Sequence, residues 1–121
     1  MPRKPLIALT ALAVTALVVA GAAFSRSTST PTLKGVVGPG YTIHLTKGGK
    51  RVKSLKAGKY KFKIADRSSI HNFALKGKMN KMLTTVSFMG SKTVTLTLKK
   101  GKYTYYCTPH AAQMKGSFTV K

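Results

Sequence analysis

Hydrophobic and polar residues alternate strictly along most of the chain. The hydrophobic positions are rich in Val, Ile, Leu, Tyr and Phe, and the polar positions are mostly Lys and Thr, with Gly-containing turns between the runs. This period of two indicates half-buried antiparallel strands, and no period of 3.6 extends beyond the N-terminal segment. We therefore predict an all-β, antiparallel β-sandwich of seven to eight strands. The clearest alternating runs are residues 41–46, 59–64, 93–98 and 103–107.

The same pattern assigns residues to faces. Tyr41, Ile43 and Leu45 should face inward, which leaves His44 outside with the threonines. Lys59, Lys61 and Lys63 should face solvent because they alternate with apolar residues. Short strands are also predicted at residues 71–75 and around Val86 and Phe88.

The first 31 residues differ in composition from the rest. A basic start is followed by an apolar run from Leu6 to Ala20, and small residues come next. This is typical of a secretory signal peptide, so residues 1–22 are predicted to be removed and residues 23–31 to form a Ser/Thr-rich linker. The alternative is an uncleaved membrane anchor that extends to about Phe24. In both cases the domain, residues 32–121, is expected outside the cytoplasm as a secreted, periplasmic or cell-surface protein.

The chain is strongly basic, with 22 Lys and Arg residues against one acidic residue, Asp66. Such a charge attracts anionic partners, although it can also serve solubility alone. An exported protein is not expected to meet nucleic acid. Anionic membrane surfaces, cell-wall polyanions and acidic redox proteins are the expected partners, and the domain itself is expected to be a monomer.

Cys107 is the single cysteine of the chain and cannot form an internal disulfide. Within eight residues, Cys107, His110 and Met114 present a thiolate, an imidazole and a thioether. These are the donors that a blue-copper centre takes from one loop. A copper ion would also give the unpaired thiol of an exported protein a role.

A blue-copper centre needs a second histidine. His71 is the leading candidate, since His44 should point outward. A single cysteine excludes a binuclear copper site, and three histidines in total leave none for a second catalytic metal. Met114 could instead be core filler, which is a common use of methionine.

The motif Cys107-x-x-His110 with Met114 nearby and His71-Asn72 upstream resembles the cupredoxin family of blue-copper proteins. The resemblance covers roughly residues 32–121. It implies a Greek-key β-sandwich with one type 1 copper, in which His71, Cys107 and His110 are equatorial ligands and Met114 is the weak axial ligand. It further implies that Asn72 ties the two ligand loops together by a hydrogen bond near Thr108.

The resemblance is incomplete at two places. Three residues separate His110 from Met114, which makes the loop intermediate in length among family members. Ile70 stands where some members have a glycine, so a fifth, carbonyl ligand is not expected.

The function implied is a mononuclear electron carrier that cycles copper between Cu(I) and Cu(II) with redox partner proteins, and not an enzyme. The alternative is a basic extracytoplasmic β-sandwich that binds or buffers copper, or adheres to polyanions, without electron transfer.

Overall fold

The computed structural model describes residues 29–121 together with Pro2 and Arg3. The predicted signal peptide or anchor and most of the predicted linker therefore lie outside the described residues. The first strand begins at Thr32. Among the residues that are described, no helix is long and apolar enough to cross a membrane.

The described chain is all-β and forms two five-stranded sheets. The first sheet has the order β3-β2-β1-β5-β8, with β1 at Thr32–Val37, β2 at Ile43–Lys47, β3 at Lys50–Arg51, β5 at Gly58–Asp66 and β8 at Gly90–Leu98. The second has the order β4-β10-β9-β6-β7, with β4 at Ser54–Leu55, β6 at Ala74–Lys76, β7 at Lys81–Met82, β9 at Gly101–Tyr106 and β10 at Lys115–Val120.

The predicted all-β sandwich is confirmed, but its strands are not all antiparallel. Strand β1 runs parallel to β5, and β4 runs parallel to β10. Alternation of residues reports that one face of a strand is buried, and it carries no information on the direction of the neighbouring strand. Parallel neighbours need a long connection, which β2, β3 and β4 provide between β1 and β5.

Two strand predictions were wrong. Residues 70–73 form a loop and the strand begins only at Ala74, while Val86 and Phe88 lie in a turn. Phe73 accounts for the first result, because its backbone N–H donates to the Thr84 hydroxyl at 2.8 Å and its carbonyl accepts from the Leu83 N–H at 2.8 Å. Residues 70–73 are thus held by bonds to residues 83 and 84 and not by the regular strand pairing of β6. In the second case, the Phe88 N–H donates to the Thr85 carbonyl at 3.2 Å, which closes a turn. The described chain contains ten strand segments, of which three have only two residues.

The core follows the predicted faces over most of the chain. Tyr60, Phe62 and Ile64 are buried, and the lysines between them are exposed. Two aromatic pairs stack within the core at interplanar angles of 8°: Phe73 on Tyr105, and Tyr103 on Phe118. The Phe73–Tyr105 pair lies two residues from both His71 and Cys107. It therefore fixes the distance between the two chain segments that carry the predicted ligands.

Gly116 allows this arrangement on β10. A Cβ atom at this position would overlap the ring and hydroxyl of Tyr105. A side chain there would push Tyr105 away from Phe73, so the glycine maintains the aromatic pair.

Candidate metal centre

Loops at one end of the sandwich bring the predicted site residues together. Residues 67–73 follow β5, and residues 107–114 connect β9 to β10. Both segments leave the same end, because Val37 is paired with Asp66 in one sheet and Ala74 with Tyr106 in the other. The loop of residues 38–42, between β1 and β2, borders them.

His71, Cys107 and His110 form one cluster, in which the potential ligand atoms all lie within 4.8 Å of one another. The Cys107 Sγ atom is 3.7 Å from the His71 Nδ1 atom and 3.6 Å from the His110 Nδ1 atom. The two Nδ1 atoms are 3.0 Å apart. His44, the third histidine, is exposed on β2 and lies outside this cluster.

These separations fit a shared metal ion. The Sγ–Nδ1 separations of 3.6 and 3.7 Å match donors about 2.0–2.3 Å from one ion at an angle of about 115–120°. The Nδ1–Nδ1 separation of 3.0 Å matches an angle of about 100° at about 2.0 Å from the ion. One thiolate and two imidazoles in a trigonal arrangement are the donor set that copper takes in type 1 sites.

The loop of residues 107–114 is closed by its own backbone. A single 3-10 turn spans Thr108–His110, with Pro109 in its first turn. The His110 carbonyl then accepts from the Met114 N–H at 2.8 Å, and the Cys107 N–H donates to the Met114 carbonyl at 3.0 Å. The Met114 side chain is completely buried at the end of this closed loop. Proline restricts the turn, so the short spacing between Cys107 and His110 has little freedom.

Asn72 connects the two ligand-bearing loops. Its Oδ1 atom accepts from the Thr108 N–H at 2.7 Å and from the Thr108 hydroxyl at 3.2 Å. Asn72 is fully buried, whereas Thr108 is exposed, so these bonds are partly shielded from water. They join residues next to His71 and next to Cys107, and thereby hold the two donors in register.

Tyr41 is a site residue that the alternation pattern misassigned. It was expected to face the core in line with Ile43, but β2 begins only at Ile43 and the Tyr41 side chain is 57% exposed. Its ring centroid lies 5.1 Å from those of both His71 and His110, in edge-to-face geometry. The Gly38-Pro39-Gly40 sequence before Tyr41 indicates a turn, which was the available signal that the strand starts later.

The two histidines differ in exposure. His71 is 1% exposed, whereas His110 is half-buried beside the exposed Pro109 and Ala112. Only His110 therefore links the cluster to the protein surface.

Asp66 is the single acidic residue and lies buried at this end of β5. Burial raises the pKa of Asp66 above its ordinary value of 3.8, although the hydrogen bond from the Ser68 N–H and the neighbouring Thr84 and His71 oppose the shift. The Asp66 Oδ2 atom has no hydrogen-bond partner among the described residues. Burial with an unpartnered oxygen disfavours the charged form of this carboxyl group, in line with its raised pKa.

The fold and cluster define a copper-binding β-sandwich. The sequence model of the copper binding proteins of the plastocyanin/azurin family matches residues 54–121, which is more than half of the chain. The chain therefore belongs to this family and takes one type 1 copper, which His71, Cys107 and His110 fit.

Solved structures agree with the fold. Rusticyanin, a copper protein, is 19% identical with a TM-score of 0.55 over 77% of this chain and 80% of its own. Auracyanin A, a "blue" copper protein from the green thermophilic photosynthetic bacterium Chloroflexus aurantiacus, is 20% identical with a TM-score of 0.55 over 77% of this chain and all of its own. A search of curated proteins finds no matching relative.

Replacing Asn72 tests the connection between the loops. Asn72→Ala removes both hydrogen bonds to Thr108, which should lower the free energy of unfolding by about 1–3 kcal/mol. Thr108→Val is the matched control, since it removes only the longer bond at 3.2 Å and should cost about 0.5–1 kcal/mol. Urea unfolding of the metal-free proteins measures both. Equal losses in the two variants would contradict a special role for the Asn72–Thr108 N–H bond.

The raised pKa of Asp66 predicts an unusual pH dependence. Because the folded state binds this proton more tightly than the unfolded state, the contribution of Asp66 to stability is greatest below pH 3.8. It falls as the pH rises through the folded-state pKa. Asp66→Asn should therefore become more stable than the wild type as the pH rises. With no other Asp or Glu in the chain, the difference between the two unfolding curves isolates this group, and a wild type that gains stability relative to Asp66→Asn on raising the pH would contradict the prediction.

Proposed function

We propose that the protein is a mononuclear blue-copper electron carrier that works outside the cytoplasm. The observation that carries the proposal is the trio of His71, Cys107 and His110, whose donor atoms are already 3.0–3.7 Å apart. Because the fold already holds the donor atoms close together, the geometry of the site should change little between the two oxidation states of copper. Such a small rearrangement favours rapid electron transfer.

Each site residue has a proposed part. His71, Cys107 and His110 would hold the copper, and Met114 would supply a weak axial donor from the closed end of the loop. Copper, when bound, supplies a reversible one-electron couple. The Asn72 side chain keeps the two loops together, and the Tyr41 ring limits rotation of both histidine rings.

His110 offers the route to a redox partner, because it is the ligand candidate that reaches the surface. The side chains around it are uncharged: Tyr41, Pro109 and Ala111. This surface suits a transient, largely apolar contact. We therefore favour a partner that presents an uncharged face to His110, in place of the acidic patch that the basic composition first suggested.

Two features support an extracytoplasmic location. The apolar N-terminal segment is typical of export. A free thiol outside the cell is protected from oxidation when a metal occupies it, and Cys107 is completely buried among the donors. A separate feature argues against an enzyme. Asp66 is the single Asp or Glu available for general acid–base catalysis, and its side chain is buried.

Absorption and voltammetry on the copper-loaded protein test this function. The oxidised protein should show an intense blue thiolate-to-copper band and cycle reversibly by one electron without releasing copper. Cys107→Ala should abolish the band, while His44→Ala, which removes the histidine outside the cluster, should leave it unchanged. A colourless or redox-silent copper complex would refute the electron-carrier function and favour copper binding or buffering.

Replacing Met114 tests the axial ligand. Met114→Leu removes a weak donor while filling a similar volume, so the blue band should remain and the reduction potential should rise as Cu(II) loses electron density. Met79→Leu is the matched control, because Met79 packs against the core and carries no predicted ligand role. Voltammetry compares the two variants. Loss of copper binding in Met114→Leu, or equal potentials in both variants, would contradict the assignment.

A further inference from the structure

Charge is divided between the two ends of the sandwich. At the metal end, the loops of residues 38–42, 67–73, 83–89 and 107–114 contain only one Lys, Arg, Asp or Glu that is exposed, Arg67. The opposite end is lined by lysines. The exposed basic residues of the described chain are therefore not spread evenly over its surface.

The strand register locates these lysines at one end. Gly58, at the start of β5, is paired with Leu98, at the end of β8. Val120 is paired with both Leu55 and Gly101. The turns beside these positions therefore lie at the same end of the sandwich. We call the exposed lysines at this end the basic pole: Lys47, Lys50, Lys56, Lys59, Lys99, Lys100 and Lys121.

An open groove of about 880 Å³ lies in the basic pole. Its lining includes Lys47, Lys56, Lys59 and Lys121. Since Asp66, the one acidic residue, is buried near the metal end, these ammonium groups have no carboxylate side chain of their own chain beside them. The groove therefore presents positive charge to whatever approaches this end.

The N-terminal segment joins the domain at the same place. Pro31 lines the groove, and its carbonyl accepts from the Lys61 N–H at 2.9 Å, which fixes where the chain enters. Six residues lie between Phe24, the last residue of the predicted anchor, and Pro31. Such a stretch reaches at most about 25 Å when fully extended. A membrane that held the apolar run would thus lie within reach of the basic pole.

We propose that the basic pole docks on an anionic phospholipid surface, which leaves the metal end facing away from the membrane. Lysine ammonium groups are compact charges without a fixed fork, so they suit a diffuse layer of phosphate headgroups better than one shaped anion. The exposed pole has lysines and no exposed aromatic anchor, whereas stable protein interfaces depend on buried aromatic anchors. The chemistry thus favours lipid over a protein partner.

This docking would orient the electron carrier. Each lysine near an anionic surface strengthens attachment about fivefold. Four such lysines together contribute roughly several hundredfold, which is enough to hold one orientation. The pattern of lysine contacts can be tested whether or not the protein carries electrons.

Lysine footprinting on vesicles tests the proposal. The full chain is combined with phosphatidylcholine vesicles that do or do not contain phosphatidylglycerol, and acetylation by sulfosuccinimidyl acetate is mapped by mass spectrometry. Phosphatidylglycerol should slow acetylation of Lys56, Lys99 and Lys100 several-fold. Lys34 and Lys63, which are paired and exposed on the outer face of the first sheet, should stay unprotected.

Two variants with equal loss of charge separate position from total charge. The pole variant carries Lys47→Gln, Lys56→Gln, Lys99→Gln and Lys100→Gln, and the control carries Lys34→Gln, Lys61→Gln, Lys63→Gln and Lys92→Gln. The first should lose the protection of Lys50, Lys59 and Lys121, and the second should keep it. Unchanged thermal transitions establish that both variants fold.

Three outcomes would overturn the proposal. The first is that phosphatidylglycerol protects no lysine from acetylation. The second is that protection of the basic pole falls equally in both variants. The third is that lysines on the outer face of the first sheet are protected and those of the basic pole are not. A competition arm with soluble inorganic polyphosphate distinguishes the source of phosphate. If polyphosphate protects the pole in the presence of vesicles and releases it from them at matched phosphate concentration, the partner is a polyanion and the membrane assignment fails.

Discussion

The structure depends on holding a thiolate and two imidazole nitrogens within 3.0–3.7 Å of one another. The donors come from loops separated by 36 residues, so no local turn can set the distance. The β-sandwich sets it through two contacts of different kinds. The Phe73–Tyr105 stack fixes the spacing of the chain segments inside the core, and the Asn72–Thr108 hydrogen bonds fix their register at the rim.

Building this site requires polar groups in the core. Four polar or charged side chains are buried among the described residues, namely Asp66, His71, Asn72 and Thr84, and all four lie at the metal end. Two of their atoms, Asp66 Oδ2 and Asn72 Nδ2, have no hydrogen-bond partner there. Unsatisfied buried polar atoms destabilise a fold. The cost of burying polar groups therefore falls at the metal end of the sandwich.

Much of this could be predicted from the sequence, because alternation and donor chemistry are local signals. The strands, the buried faces, and the Cys107 and His110 spacing are all encoded within a few residues of one another. His71 required only the rule that an unpaired thiol and a nearby histidine need one more donor. The parallel pairing of β1 with β5 and the contact of Tyr41 with the rings of His71 and His110 could not be predicted. Both depend on where a loop ends and which strand lies beside it, which are properties of the tertiary fold.

The separation of charge from the metal end has a physical consequence for electron transfer. Strand β5 runs from the basic pole to the metal end in nine residues, a distance of about 26 Å at about 3.3 Å per residue. The Debye length at physiological ionic strength is only about 8 Å. The lysines at the far end are thus largely screened from a redox partner at His110. Such a partition lets one end of the domain respond to an anionic surface while contacts at the other end are governed by shape and apolar area.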